Sequence, residues 1–193
     1  MQPRYAAYEA TVADGDIPIA GMAQLFVEVA PANEIYGLVD KALKATPVRV
    51  GSQVVEREFG FVELHSESTK VVEEAGRVML EMIGTDVEAR LRPKVVSEKL
   101  IVNLTPFQAQ LINRMRRGSL VIPEQTLLVL EIAPAAYVLL AANEAEKSAG
   151  IDVIDVRPVG RFGRLFISGP ESDVREAHSS VVDVLAGLAG RES

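Results

Sequence analysis

Apolar and polar positions along the chain fall into one pattern that is written twice. A short apolar run, Gln24 to Val29, is followed by Ala30-Pro31-Ala32 and then by Ile35, Leu38, Val39, Ala42 and Leu43 at helical spacing. The same order returns at Leu127 to Ile132, Ala133-Pro134-Ala135, and Val138, Leu139, Ala142 and Ala145. Proline early in each helix fits because its missing donor would be unsatisfied there. Thr46-Pro47 and Ala149-Gly150 disfavour continuation of the two helices. Alternation then predicts strands led by Val48 and Val50 as far as Glu56, and by Ile151 and Val153 as far as Val159. A Phe-Gly element turns each into a further strand, Phe61 to His65 and Arg164 to Ser168, where Gly60 and Gly163 are expected to relieve backbone strain. A second helix closes each copy. It carries Val71, Ala75, Val78, Met79 and Met82 on one face in the first, and Val174, Ala177, Val181, Leu185 and Leu188 in the second.

The correspondence holds without a gap from residues 25–84 to residues 128–187. Glu28 matches Glu131, an offset of 103 (131 − 28), and the same offset carries Phe59-Gly60 onto Phe162-Gly163 and Lys44 onto Lys147. Both copies therefore read strand, helix, strand, strand, helix. A sheet with two helices on one face is the way to bury such stripes. Strands to complete the sheets are expected before each repeat. Val95-Val96 and Leu100 to Leu104 serve the second copy, followed by a short helix from Phe107 to Arg117. Arg4 to Val12 can supply a strand for the first, with no room for an equivalent helix.

Length and repeat together favour two domains, 1–85 and 86–193, within the 193 residues. With 48% hydrophobic and 24% charged residues, the chain has the balance of a globular protein. A net charge of −7 argues against nucleic acid, whose binding rests on clustered Lys and Arg. The absence of cysteine excludes disulfides and Cys-based metal or cluster sites, and suits a reducing cytosol. No signal-peptide core interrupts the acidic N-terminus, and the longest apolar run, Ile132 to Ala142, is far short of the roughly 20 residues that span a membrane. No membrane association is expected.

Little in the chain points to catalysis. His65 and His178 occupy unrelated repeat positions without neighbouring ligand spacing, so they read as ordinary surface or partly buried residues, and no metal or cofactor is expected. Gly160-Arg161-Phe162-Gly163 lacks the Lys-Ser/Thr ending of a phosphate loop and leads into a strand. Glu73-Glu74 and Glu144-Glu146 read as solvated helix charge, and no nucleophile sits beside a base. Arg114, Arg116 and Arg117 form a short basic cluster that fits subunit packing better than phosphate binding.

Three stretches carry a family resemblance: VEVAPANEIYGLVDKALKATPVRVGSQVVEREFGFVELH, INRMRRG at 112–118, and LLVLEIAPAAYVLLAANEAEKSAGIDVIDVRPVGRFGRLFISG. From about Val12 onward the chain resembles the bacterial microcompartment shell proteins, in particular the tandem-domain, trimer-forming, circularly permuted branch related to the gated carboxysome shell trimer. The resemblance implies an α+β fold of two tandem ferredoxin-like shell domains, each an antiparallel sheet with helices packed on it. It also implies a helix ahead of the first strand, in whose place ADGDIPIAG at 13–21 reads as a short loop.

By the same resemblance the chain is a structural facet protein and not an enzyme. Three copies would form a pseudohexameric tile around a pore, beside hexameric, trimeric and pentameric shell proteins in the cytoplasm, with face-to-face stacking of two trimers possible. The pore would be lined by Glu56 and Arg57 in one repeat and Val159 and Gly160 in the other, with Phe59, Gly60, Phe162 and Gly163 supporting the loops. On an extended backbone Glu56 and Arg57 point in opposite directions, so a loop rotation would exchange which one faces the axis. Three carboxylates at an axis repel by roughly 1 kcal/mol per pair at 4 Å in water and about 4 at an effective dielectric near 20, which pairing with guanidinium removes. The resemblance further assigns Lys44 and Lys147 to contacts across the tile edge, with Asp40 and Asn143 as accessories. A duplicated metabolite-sensing module is the alternative, and would need a pocket with convergent polar groups. The metabolite that crosses, the lumen-facing side and the encapsulated pathway are not encoded in these motifs.

Overall fold

Residues 1–192 are described by this computed structural model. The first repeat consists of β1 (Ala23–Val29), α2 (Glu34–Ala45), β2 (Arg49–Glu56), β3 (Phe59–Ser66) and α3 (Thr69–Ile83), preceded by α1 (Pro3–Val12). The second consists of β4 (Lys94–Ile101), α4 (Pro106–Asn113), β5 (Thr126–Ala133), α5 (Tyr137–Ser148), β6 (Asp152–Arg157), β7 (Gly163–Gly169) and α6 (Glu171–Ala186). Both sheets are antiparallel, ordered β1-β3-β2 and β4-β5-β7-β6. Each carries its helix pair on one face, as the apolar stripes require. Ile35, Leu38, Val39, Ala42, Ala75 and Met79 are buried with Val62 and Leu64 on the first sheet. Val138, Leu139, Ala142, Val174, Ala177 and Val181 are buried with Leu130, Ile132 and Ile167 on the second.

The N-terminal segment departs from the sequence reading. Residues 3–12 form a helix, not a strand, so sheet 1 has three strands and the outer edge of β1 is unpaired among the described residues. Pro3 occupies an early helical position, where a missing N–H costs nothing. Tyr5, Ala6, Tyr8 and Glu9 are buried, which is helical spacing rather than alternation. Moreover, α1 is the counterpart of α4: the 103-residue offset carries Pro3 onto Pro106, and the repeat runs on through the loops that follow. Gly15 N donates to Gly51 O and Asp16 N to Val50 O at 2.8 Å each, matching Gly118 N to Ile154 O and Ser119 N to Val153 O at 2.9 Å each. Gly21 and Glu124, also a matched pair, both have positive φ (87° and 71°), and their amides bond to Met1 O and Leu104 O. The loop at 13–21 therefore follows the N-terminal helix and does not replace it.

Smaller differences have local causes. Pro31 and Pro134 lie ahead of α2 and α5, in cis peptide bonds at the turn leading into each helix. Gly60 and Gly163 do not adopt positive φ. They are needed because β3 and β7 pass so close to the turns entering α2 and α5 that a Cβ would collide with the carbonyl oxygens of Ala32 and Ala135. Leu43 and Met82 are exposed, and Leu188 lies beyond the end of α6.

Candidate functional site

The turns between β2 and β3 and between β6 and β7 place the sequence-derived pore residues. Glu56 ends β2 opposite Phe59 and is exposed; Arg57 and Glu58 make the two-residue connection. Arg57 has φ 52°, in the left-handed region, so the extended-backbone premise for Glu56 and Arg57 does not hold. The left-handed conformation costs roughly 1–2 kcal/mol at a non-glycine residue, and it redirects the guanidinium relative to simple strand alternation. Neither side chain forms an ion pair within the chain among the described residues.

The β6–β7 connection is longer and carries Val159 and Gly160, with Gly160 at φ 112°. The two turns meet. A Cβ on Gly160 would lie 4.0 Å from Glu56 Oε1, so the smallest residue of one turn leaves space beside the carboxylate of the other. Phe59 and Phe162 are both half-buried, Gly60 and Gly163 fully so, and the Arg161 guanidinium lies 5.5 Å from the Phe162 ring centroid. Both Phe-Gly elements thus anchor their turns through the close approach to Ala32 and Ala135.

Lys44 and Lys147 are exposed in the last turns of α2 and α5, where a cation complements the helix dipole. Lys44 pairs with Asp40 at 2.7 Å and Lys147 with Glu144 at 3.3 Å. Asn143 is engaged elsewhere: its Oδ1 accepts from Gln2 N at 2.9 Å at the start of α1. Glu146 is likewise not a solvated charge. Its two carboxylate oxygens accept from Arg4 N (2.8 Å) and Tyr5 N (2.7 Å), satisfying donors in the first turn of α1.

A buried polar network beneath α1 escaped the sequence reading. His65 is fully buried, with Nδ1 3.1 Å from Glu63 Oε2 and Nε2 3.0 Å from Asp16 Oδ2, deeper than the surface or partly buried position expected of it. Arg49 pairs with Asp16 at 3.2 Å. The hydrogen bond from His65 is the first cause holding the Asp16 carboxyl below its ordinary range. Glu9 of α1 is also buried and is pushed up to about 8, first by loss of water and then by the negative charge of Glu63. Gln24 links them, accepting from Tyr5 OH at 2.7 Å and approaching Glu9 Oε2 at 3.5 Å. In the second repeat the positions of Glu9, Gln24 and Glu63 hold Ile112, Leu127 and Phe166, which are apolar and pack with α4. The available signal was Glu63 and His65 two apart within an apolar strand, hence on one face. His178, by contrast, is partly exposed and bonds to Glu98 at 2.8 Å.

The chain resembles known proteins over its whole length. Residues 1–89 match the family model described as CsoS1D N-terminal domain. The carboxysome shell protein CcmP of Synechococcus elongatus is 45% identical over 192 residues, covering 100% of this chain and 90% of that protein. The carboxysome shell protein CsoS1D of Hydrogenovibrio crunogenus is 39% identical over 192 residues, covering 99% and 94% respectively. Among solved structures, "the fused permuted hexameric shell protein MSM0275 from the RMM microcompartment" superposes with a TM-score of 0.95 at 43% identity, covering 100% of this chain and 95% of its own. The "double ringed trimeric shell protein MSM0271" from the same microcompartment gives 0.95 at 40%, covering 100% and 94%. Two antiparallel sheets, each backed by a helix pair and joined in one polypeptide, are thus the fold of fused, permuted microcompartment shell proteins. The chain belongs to the carboxysome shell protein family that includes CcmP and CsoS1D.

Proposed function

We propose that this shell protein is a facet tile: three chains, each with shell domains at 1–85 and 86–193, close into a pseudohexamer whose axis is ringed by the β2–β3 and β6–β7 turns. The observation that carries this reading is the meeting of Glu56 with Gly160. Two turns at equivalent repeat positions converge, one bearing a charged pair and the other a residue without a side chain. Alternating around an axis, three Glu56-Arg57 pairs would have room to move beside three Gly160 positions. In the closed state Glu56 of one chain pairs with Arg57 of another; separation of the pairs leaves a polar channel for small metabolites. Because Arg57 starts from a left-handed conformation, its peptide can rotate toward ordinary φ, which is the step that moves the guanidinium.

The tile sits in a microcompartment shell in the cytoplasm and meets neighbouring hexameric, trimeric and pentameric shell proteins through edges bearing Lys44 and Lys147. Face-to-face stacking of two trimers belongs to the same reading and is supported by the double-ringed relative. The test is the structure of the assembled Glu56→Ala, Arg57→Ala double variant. A permanently wider axial opening is expected; an opening unchanged from the parent, or these side chains on the outer rim, would refute the pore assignment.

A further inference from the structure

Helix α1 touches both repeats at once. It rests on α5 and β6 of the second, where Glu146 accepts from Arg4 N and Tyr5 N, and where Tyr8 OH donates to Val156 O at 2.6 Å and lies 3.0 Å from Asp155 Oδ1. It reaches the first through Tyr5 and Glu9, which both meet Gln24 of β1. Contact with sheet 1 is made by carboxyl groups. Glu9 and Glu63 are 5% and 1% exposed, and Gln24 serves both: its amide nitrogen is 3.5 Å from Glu9 Oε2, its side chain also bonds to Glu63, and its carbonyl accepts from Tyr5 OH at 2.7 Å.

No cation answers Glu9 in this space. Arg49 and Arg157, the arginines of β2 and β6, are held by Asp16 at 3.2 Å and by Asp155 at 2.8 Å. Glu63 has His65 as a further partner at 3.1 Å, whereas Gln24 is the one side chain bonded to Glu9 among the described residues. A charged Glu9 would stand in a dry site beside a second carboxylate, so it keeps its proton while the helix is down, with a pKa of about 8. Docking as such does not require this chemistry. In the matched helix α4, Ile112 packs with Leu127 and Phe166 at the positions of Glu9, Gln24 and Glu63, and nothing there can titrate.

We propose that α1 is a proton-operated clasp between the two repeats, which stays down while Glu9 is protonated and lifts from sheet 1 and β6, with both sheets intact, once Glu9 ionises. In the lifted state the carboxyl returns to water and to its ordinary value of 4.5. Docking therefore holds a proton that release gives up, and this contribution is complete below about pH 4.5 and gone above about pH 8. Burial raises Glu63 in the same direction, against its bonds to His65. Asp16, whose carboxyl His65 holds low, acts only in acid, and Tyr5 and Tyr8 are pushed upward by burial and stay protonated throughout. The neutral range is left to the buried carboxyl pair.

Hydrogen exchange resolved by peptide, with the intrinsic pH dependence of amide exchange divided out, reads the clasp in the intact protein. Between pH 5 and pH 8 the protection of residues 5–12 should fall about a hundredfold, while residues 108–113 of α4 and the strands β5 and β7 keep theirs. Glu9→Gln should hold the fall under about tenfold, and Glu9→Ile, which copies the second repeat, should do the same. Protection of β5 and β7 reports that each variant is folded. Constant protection of α1 across this range, or a fall in both variants equal to that of the parent, would overturn the clasp. A fall shared by α4, β5 and β7 would show the whole chain unfolding and would overturn it as well.

Discussion

Glu56 Oε1 lies 4.0 Å from the point where a Cβ on Gly160 would stand, so two turns separated by about half the chain share one small space. The Gly160 φ of 112° is disfavoured for any residue with a Cβ. Gly160→Ala is therefore expected to destabilise by about 1–3 kcal/mol through the backbone, since 4.0 Å is ordinary contact and no collision is added. That corresponds to a melting temperature lower by about 2–4 °C for each kcal/mol. An unchanged melting temperature would show that the turn adapts freely.

The approach of Gly163 to Ala135 O gives a sharper effect. Here a methyl group meets backbone rather than a flexible side chain, so Gly163→Ala must displace β7 or the turn into α5. Overpacking of this kind costs about 1–3 kcal/mol, and Gly60→Ala should cost a comparable amount through Ala32 O. Thermal unfolding of both variants measures it, and a neutral result at either site would contradict the close approach.

Glu9 makes stability depend on pH. Its folded pKa of about 8 lies above the ordinary value of 4.5, so between these pH values the folded chain holds a proton that the unfolded chain releases. This contribution is complete below about pH 4.5 and is lost as pH rises through about 8. Glu9→Gln keeps the shape without the ionisation. It should be more stable than the parent at pH 9, with a smaller fall in melting temperature between pH 5 and pH 9. Parallel curves for the two proteins would show that Glu9 does not ionise in this way.

Lys44 and Lys147 separate edge contact from helix support. Their ion pairs with Asp40 and Glu144 are exposed within single helices, where such pairs contribute about 0.3–0.5 kcal/mol. The Lys44→Ala, Lys147→Ala variant should thus melt close to the parent and remain trimeric, while forming fewer or smaller two-dimensional arrays by electron microscopy. Undiminished arrays would remove these lysines from the edge.

The duplication, the helix pairs and the alternating strands were legible in sequence because each depends on local pattern, a 3.6-residue period for α3 and α6 and alternation for β2 and β6. The β2–β3 and β6–β7 turns were legible only through the Phe-Gly repeat and the family resemblance. Arg57 lies in the β2–β3 turn, and its left-handed backbone was not foreseen, since no residue type demands it there.

What the sequence determined alone is the repeated unit and which faces of its elements are apolar. Tertiary structure decided what each face meets. Glu9, Glu63 and His65 carry the composition of solvated charge, and only α1 lying over them makes them a buried network, while the matched Ile112 and Phe166 form core. Glu146 becomes a helix-terminal acceptor only when residues 3–5 arrive from more than 140 positions away. Periodicity records the face an element must bury; the partner is fixed by packing between distant segments, which no local pattern contains.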